Sequence, residues 1–291
     1  MLNKEKRENR QDFDVIRRGA RNEVTNLQSG FGLDQDGYIV SDVGKGKIHS
    51  IYLPCIHDSV EGLTLLYPNR LHSVYVYGSV ARGEAVAGKS DLDLIAMFEG
   101  TLNSEESTQL KNLAAALTHK YCSLVRDVGI AVANYDYTIN SKNYYEGAFL
   151  KEMSICVHGE DPTMQFGPYK LTSEIAVSFN GDIGDVVIRT IRRINLVSDL
   201  EFGRVSQGFA RKFIRTCYSM IMVRSQIWTT RLHQQAKIFI QHFPEKEPVI
   251  RTLQKWLEEP PTNRSLVLNI IQSEGKWITK NFEREVVRTL P

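Results

Sequence analysis

The stretch LHSVYVYGSVARGEAVAGKSDLDLIAMFE, residues 71–99, decides how the whole chain is read. Residues 71–78 are rich in β-branched and aromatic side chains and end on glycine, which predicts a strand running into a turn. Leu92 to Phe98 predicts a second strand, with Leu92, Leu94, Ala96 and Phe98 on the core face and Asp91 and Asp93 together on the other. Two carboxylates this close resist joint ionisation unless a cation sits between them, and an oxygen-only donor set points to Mg2+. Gly78 permits close backbone approach to a phosphate, and the Ser79 hydroxyl can donate to phosphate oxygens. A helical turn opening there would add free amides for a triphosphate.

A second phosphate motif overlaps the first. Gly83 through Gly88-Lys89-Ser90 fits the P-loop pattern GxxxxGK[ST] letter for letter. A P-loop needs a strand leading straight into its glycines and a helix starting at its lysine. Here Gly83 comes five residues after the strand ends, and the strand-like DLDLIAMF follows Ser90, so the context fails on both sides.

A third acid is expected from VRDVGIAV, residues 125–132, read as another strand. Val128, Ile130 and Val132 form its apolar face, leaving Asp127 beside Gly129 and Ala131. If that strand pairs with residues 92–98, Asp127 joins the face of Asp91 and Asp93, and three carboxylates could hold two metal ions, or one metal and a base. Asp136, past the strand in NYDYT, is the alternative third acid.

Outward from this centre, SVEGLTLLYP (59–68) and NSEESTQLKNLAAALTHKY (103–121) predict helices, the latter with Ser104 as its cap. MSICVHG (153–159) predicts a fourth strand. GYIVSDVGKGKIHSIYLP (37–54) reads as two short strands about a glycine-rich turn, and Phe13 to Leu27 as one amphipathic helix. Beyond about residue 170 strand signals give way to helical spacing. The expected fold class is α/β (α+β): a mixed sheet flanked by helices, then an all-α helical bundle. The boundaries are a helix-and-hairpin extension at 1–56, a catalytic domain at 57–170 and a helical domain at 171–291.

Composition excludes other classes. With 42% hydrophobic residues and a net charge of +2 the chain is neither disordered nor a general nucleic-acid coat. The balance hides an asymmetry: 18 Lys and Arg against 22 Asp and Glu up to residue 170, but 18 against 12 beyond it. Arg189, Arg192 and Arg193 cluster there, as do Arg211, Lys212 and Arg215, either as solvated faces or as phosphate partners; Arg231 is a single weaker candidate. Trp228, Trp256 and Trp277 read as core anchors of helices. Cys55, Cys122, Cys156 and Cys217 form no CxxC pair and read as small buried residues. No signal-peptide pattern or membrane-length apolar run is present, so a soluble cytoplasmic protein is expected.

Taken together, VYVYGS (74–79), SDLDL (90–94) and RDVGI (126–130) resemble the nucleotidyltransferase superfamily typified by DNA polymerase beta, in its small bacterial branch. FLKEMSICVHGEDP (149–162) and the tail from Thr216 to Ile250 are similar in layout to aminoglycoside nucleotidyltransferases, in which a helical C-terminal domain and the catalytic domain hold the acceptor between them. That family's third acid is often Glu where Asp127 stands here, and residues 1–60 have no counterpart in it.

The resemblance implies transfer of an NMP, AMP first, from a nucleoside triphosphate such as ATP to a hydroxyl. Asp91 and Asp93 would hold Mg2+, Gly78 and Ser79 the β- and γ-phosphates, and Asp127 would act as base or complete a second metal site. Arg82 and Ser90 are further nucleotide-binding candidates. A small hydroxylated molecule such as an aminoglycoside is the first acceptor; an RNA end such as tRNA, or a protein side chain, is the second. The rivals are a P-loop NTPase or kinase and a silent nucleotide-binding regulator, against which the three intact acids argue.

Overall fold

A computed structural model describes residues 27–288. The helix expected across Phe13 to Leu27 falls on residues outside that range. The described chain divides into two units: Ser41–Gly167, and Leu27–Val40 together with everything from Pro168 onward.

The first unit is built on one four-stranded sheet in the order β3-β2-β1-β4. Its elements are α1 (Leu53–Leu66), β1 (Leu71–Tyr77), α2 (Gly78–Arg82), β2 (Leu92–Phe98), α3 (Ser104–Lys120), β3 (Val128–Asn134), α4 (Tyr135–Ile139), α5 (Gly147–Met153) and β4 (Ser154–Gly159). β1 runs antiparallel to β2 and to β4, whereas β2 and β3 are parallel. A parallel neighbour cannot follow from a tight hairpin; it needs a crossover, and α3 supplies it.

Alternation along the strands sorts two apolar layers. Val74, Val76, Leu92, Leu94, Ala96, Phe98 and Val128 pack with Cys55, Ile56 and Leu63 of α1 and Leu110 and Leu117 of α3. The opposite face carries Tyr75, Ile95, Met97 and Cys156, covered by Phe149 and Leu150 of α5. Asp93 alternates with β2's core residues and so belongs to this second face.

Several local readings change. α1 starts at Leu53 rather than Ser59, because Pro54 sits in its first turn, where a missing N–H has no consequence. The cap of α3 is Asn103, not Ser104: only from position 103 does the third helical residue, Glu106, reach back to close a reciprocal pair of hydrogen bonds. The expected hairpin over 37–54 is absent. Lys45–Lys47 and Ser50–Tyr52 form single 3-10 turns, and Gly44 donates its N–H to the Ala81 carbonyl of α2 at 3.2 Å, so these bonds close local turns and reach a helix instead of pairing two halves of a hairpin. Cys122 is exposed, unlike the other three cysteines.

The second unit is helical: α6 (Ser173–Asn180), α7 (Ile183–Ile194), α8 (Asp199–Ser225), α9 (Leu232–His242), α10 (Glu247–Glu258) and α11 (Arg264–Val286). α8 is its axis, contributing Phe209, Phe213, Cys217 and Ile221 to the interior. It ends at Gln226, which adopts a left-handed φ of 48°. Residues 27–40 belong here: Gly30 donates to the Gln226 carbonyl at 2.7 Å, Trp228 to Phe31 at 2.8 Å, and Ile39 to Tyr169 at 2.8 Å. Trp228 and Trp256 are buried, and Trp277 packs edge-on against Phe243. No described helix is long and apolar enough to cross a membrane.

Candidate active site

β1 ends at Tyr77, opposite Asp93 in register. Gly78 then turns the chain into α2 with φ 75°, a left-handed value that a side chain resists. A Cβ on Gly78 would lie 2.6 Å from Asp93 Oδ2, and one on Gly129 would lie 3.6 Å from Asp93 Oδ1. The Asp93 carboxylate therefore occupies a cradle kept open by two glycines, Gly78 just past the end of β1 and Gly129, its register partner on β3.

Asp91, one residue before β2, is half-buried and gripped by Arg126: Nε donates to Oδ1 at 2.9 Å and Nη2 to Oδ2 at 2.5 Å. The backbone sets this up. Arg126 N–H donates to the Ser90 carbonyl and Leu92 N–H to the Asp127 carbonyl, so the approaches to β2 and β3 run in register. The hydrogen bond that Arg126 donates to Asp91, against some opposing desolvation, raises the Arg126 pKa, with the charges of Asp91, Asp127 and Asp93 adding to it. Arg126 was not singled out in the sequence. The signal was there: aligning SDL with RDV as parallel neighbours puts the arginine beside Asp91.

Asp127 stands in register beside Asp91, but its carboxylate is turned elsewhere. Thr118 of α3 donates its hydroxyl to Asp127 Oδ1 at 2.9 Å and accepts from Val128 N–H at 2.9 Å. Asp91, Asp93 and Asp127 do not all three bring ligand atoms within 4.8 Å of one another. Asp136 lies in the first turn of α4.

The remaining candidates are placed as follows. Ser79 opens α2 and is half-buried. Arg82 is paired with Glu84, Nε to Oε2 at 3.0 Å. The Ser90 hydroxyl accepts from Val86 N–H at 2.9 Å and closes the 86–90 turn. Gly83 caps the C-terminus of α2, and Ser90 leads into a strand, so the segment 83–90 has neither the strand before nor the helix after that a P-loop requires.

Among the described residues, the group that does gather ligand atoms within 4.8 Å is His57, Asp58 and Glu61 on α1. It belongs to the helical layer on the far face of the sheet, and the Lys120 ammonium and Tyr121 hydroxyl already hold the Asp58 carboxyl below its usual range.

The donor chemistry at Asp91 and Asp93 fits a hard divalent cation: carboxylate oxygens only, with Gly78 and Gly129 leaving room about one of them. Such an ion would compete with Arg126 for Asp91.

Residues 65–138 match the family model described as a nucleotidyltransferase domain. That window contains Gly78, Ser79, Asp91, Asp93, Arg126 and Asp127. No curated protein sequence matches the chain. Eleven chains of solved structures do. One is spectinomycin adenyltransferase AAD(9) from Enterococcus faecialis, solved with ATP and spectinomycin. It is 14% identical, with a TM-score of 0.50, over 77% of this chain and 99% of that one. At that identity the likeness is one of fold. The chain carries a nucleotidyltransferase domain, the domain of a transferase enzyme.

Proposed function

We propose that the chain transfers an NMP, AMP first, from a nucleoside triphosphate to an acceptor hydroxyl with Mg2+. The observation that carries this reading is the pairing of Asp91 and Asp93 with the Gly78 turn across the β1–β2 register. The metal, when bound, supplies charge neutralisation for the phosphates and a lowered acceptor pKa.

The rest falls to the chain's own side chains. Asp91 and Asp93 would hold the cation, Asp93 from its glycine cradle and Asp91 in place of its pairing with Arg126. Gly78 brings the backbone close to the β- and γ-phosphates and Ser79 donates to them. Arg126, freed from Asp91, is placed to take a phosphate oxygen with the same two-point fork. Asp127 would take the acceptor proton, or complete a second metal site, only on turning away from Thr118, which holds its Oδ1 in the structure. The protein's main contribution is position and a preset field.

The acceptor is a small hydroxylated molecule of the aminoglycoside or aminocyclitol class, a reading supported by the similar fold solved with ATP and spectinomycin. The chain acts in the cytoplasm. The test is α-labelled ATP and Mg2+ offered with separate acceptor pools: aminoglycosides with spectinomycin, total tRNA, and lysate proteins. Label in the first pool, lost in Asp91→Asn and Asp93→Asn, is expected. Label confined to tRNA or protein overturns the acceptor, and ATP consumed without label in any pool overturns nucleotidyl transfer.

A further inference from the structure

Helices α7 and α8 pack side by side in the helical unit, and a groove of about 400 Å3 lies between them. α7 lines it with Arg189, Thr190 and Arg193, residues that recur at the helical repeat; α8 adds Arg204, Gly208 and Phe209. Phe209 is buried and forms the floor. Three arginines and no acid line the groove. Arg193 also meets Glu201, and Arg189 lies 3.7 Å from Asp182, yet their side chains are 60% and 66% exposed. Among the described residues Arg204 has no acid partner.

Gly208 is the independent observation. It sits mid-way along α8, where alanine would favour the helix by about 1 kcal/mol. The other glycines inside helices of this unit are explained by packing: a Cβ would meet Thr279 at Gly184, Pro260 at Gly203 and Val187 at Gly275. At Gly208 it would meet nothing within 4 Å. No packing contact requires a glycine there; the space beside it belongs to the groove.

We infer that this groove is a binding site for a chain of phosphates, presented by a polyphosphate or by a single nucleic-acid strand. A guanidinium matches phosphate oxygens with a planar two-point fork. Arg189 and Arg193 stand one turn apart, about 6 Å along the axis, so they can engage successive phosphates rather than one. The groove is open and edged by exposed cations, which suits a strand passing through it better than an enclosed small molecule. All of its residues lie in the helical unit, so the inference does not depend on the nucleotidyl-transfer reading.

The test uses the full chain carrying Asp91→Asn and Asp93→Asn, in EDTA, so that metal-dependent nucleotide binding is silent. Labelled single-stranded RNA is followed by fluorescence anisotropy, with tripolyphosphate and a glutamate-rich peptide as competitors. Arg189→Ala, Arg193→Ala and Arg204→Ala are each expected to weaken binding roughly tenfold, the usual worth of a hydrogen bond between charged groups. The salt dependence should flatten with each arginine removed. Gly208→Leu keeps every charge and fills the groove, so it should weaken binding with an unchanged thermal melt. Displacement by tripolyphosphate identifies a polyphosphate ligand; resistance to it identifies a strand. Affinity within about twofold of the parent in the triple arginine variant overturns the site. So does absence of binding to either probe, or displacement by the peptide as effective as by tripolyphosphate.

Discussion

Arg126 holds Asp91 by both carboxylate oxygens, the closest cation on the acid that the metal needs. The pair is half-exposed, so it adds only about 0–1 kcal/mol to stability. Its weight falls on the site's charge. Arg126→Ala is expected to lower the Mg2+ concentration that half-saturates turnover, because a competing cation is gone, and to raise KM for the triphosphate. A Mg2+ titration with each nucleotide checks both. An unchanged or higher Mg2+ requirement means that Arg126 does not guard the acid.

Asp91→Asn and Asp93→Asn each remove half of the cation's charge complement. A loss of at least about a hundredfold in turnover is expected for each, as for other groups that stabilise charge in a transition state. Lys89→Ala, which alters only the accidental P-loop match, should stay near the parent rate. Pyrophosphate release measures all three. The reverse pattern, with Lys89 essential and Asp91 dispensable, would falsify the assignment.

Gly78 and Gly83 both adopt left-handed backbone, φ 75° and 72°. Alanine at either costs about 1–2 kcal/mol in conformation alone. At Gly83 the added carbon meets the Lys47 carbonyl; at Gly78 it meets the Asp93 carboxylate. Both variants should melt earlier, but Gly78→Ala alone should lose turnover in the protein that remains folded. Melting curves read beside specific activity separate the two effects.

Glu152 is 5% exposed, and burial pushes its carboxyl up to about 7, with Lys151 opposing. The folded protein therefore keeps a proton that the unfolded chain releases near 4.5. Stability is full below that lower value and falls as pH rises through 7. Glu152→Gln should flatten the dependence and melt a few degrees higher than the parent at pH 8. Thermal melts between pH 4.5 and 8 check the sign; parallel curves for the two proteins would remove the buried carboxyl from the account.

Much of this was legible beforehand, and the failures have physical causes. β2 runs over the predicted residues because, Asp93 apart, it is a continuous apolar run covered on both faces. The segment 37–54 had strand-like composition about two glycines, but its backbone bonds go to local 3-10 turns, to Tyr169 and, from Gly44, to α2. Asp127 was assigned a direction by extending the alternation of β3. The strand begins one residue later, at Val128, and Thr118, nine residues earlier on a helix, captures the carboxylate. No periodicity encodes that contact. Arg126 lay hidden for another reason: its role exists only once two distant segments are set side by side.

The backbone passes between the two units twice within the described residues, at 40/41 and again at 167/168. Excising the helices as a linear fragment from Pro168 would strip away the donor to the Gln226 carbonyl and the acceptor for the Trp228 N–H, both supplied by residues 27–40. A protease nick at 40/41 would leave residues 27–40 held to the helices by noncovalent contacts, among them the hydrogen bonds above, the buried Ile39 side chain and the Lys170 ammonium over the Tyr38 ring, while the sheet stays tethered through 167/168. Within the described residues, the sheet-bearing stretch 41–167 lies between two stretches of the helical unit. Separating the two units within the described residues would take a cut at each of those two crossings and a retained peptide.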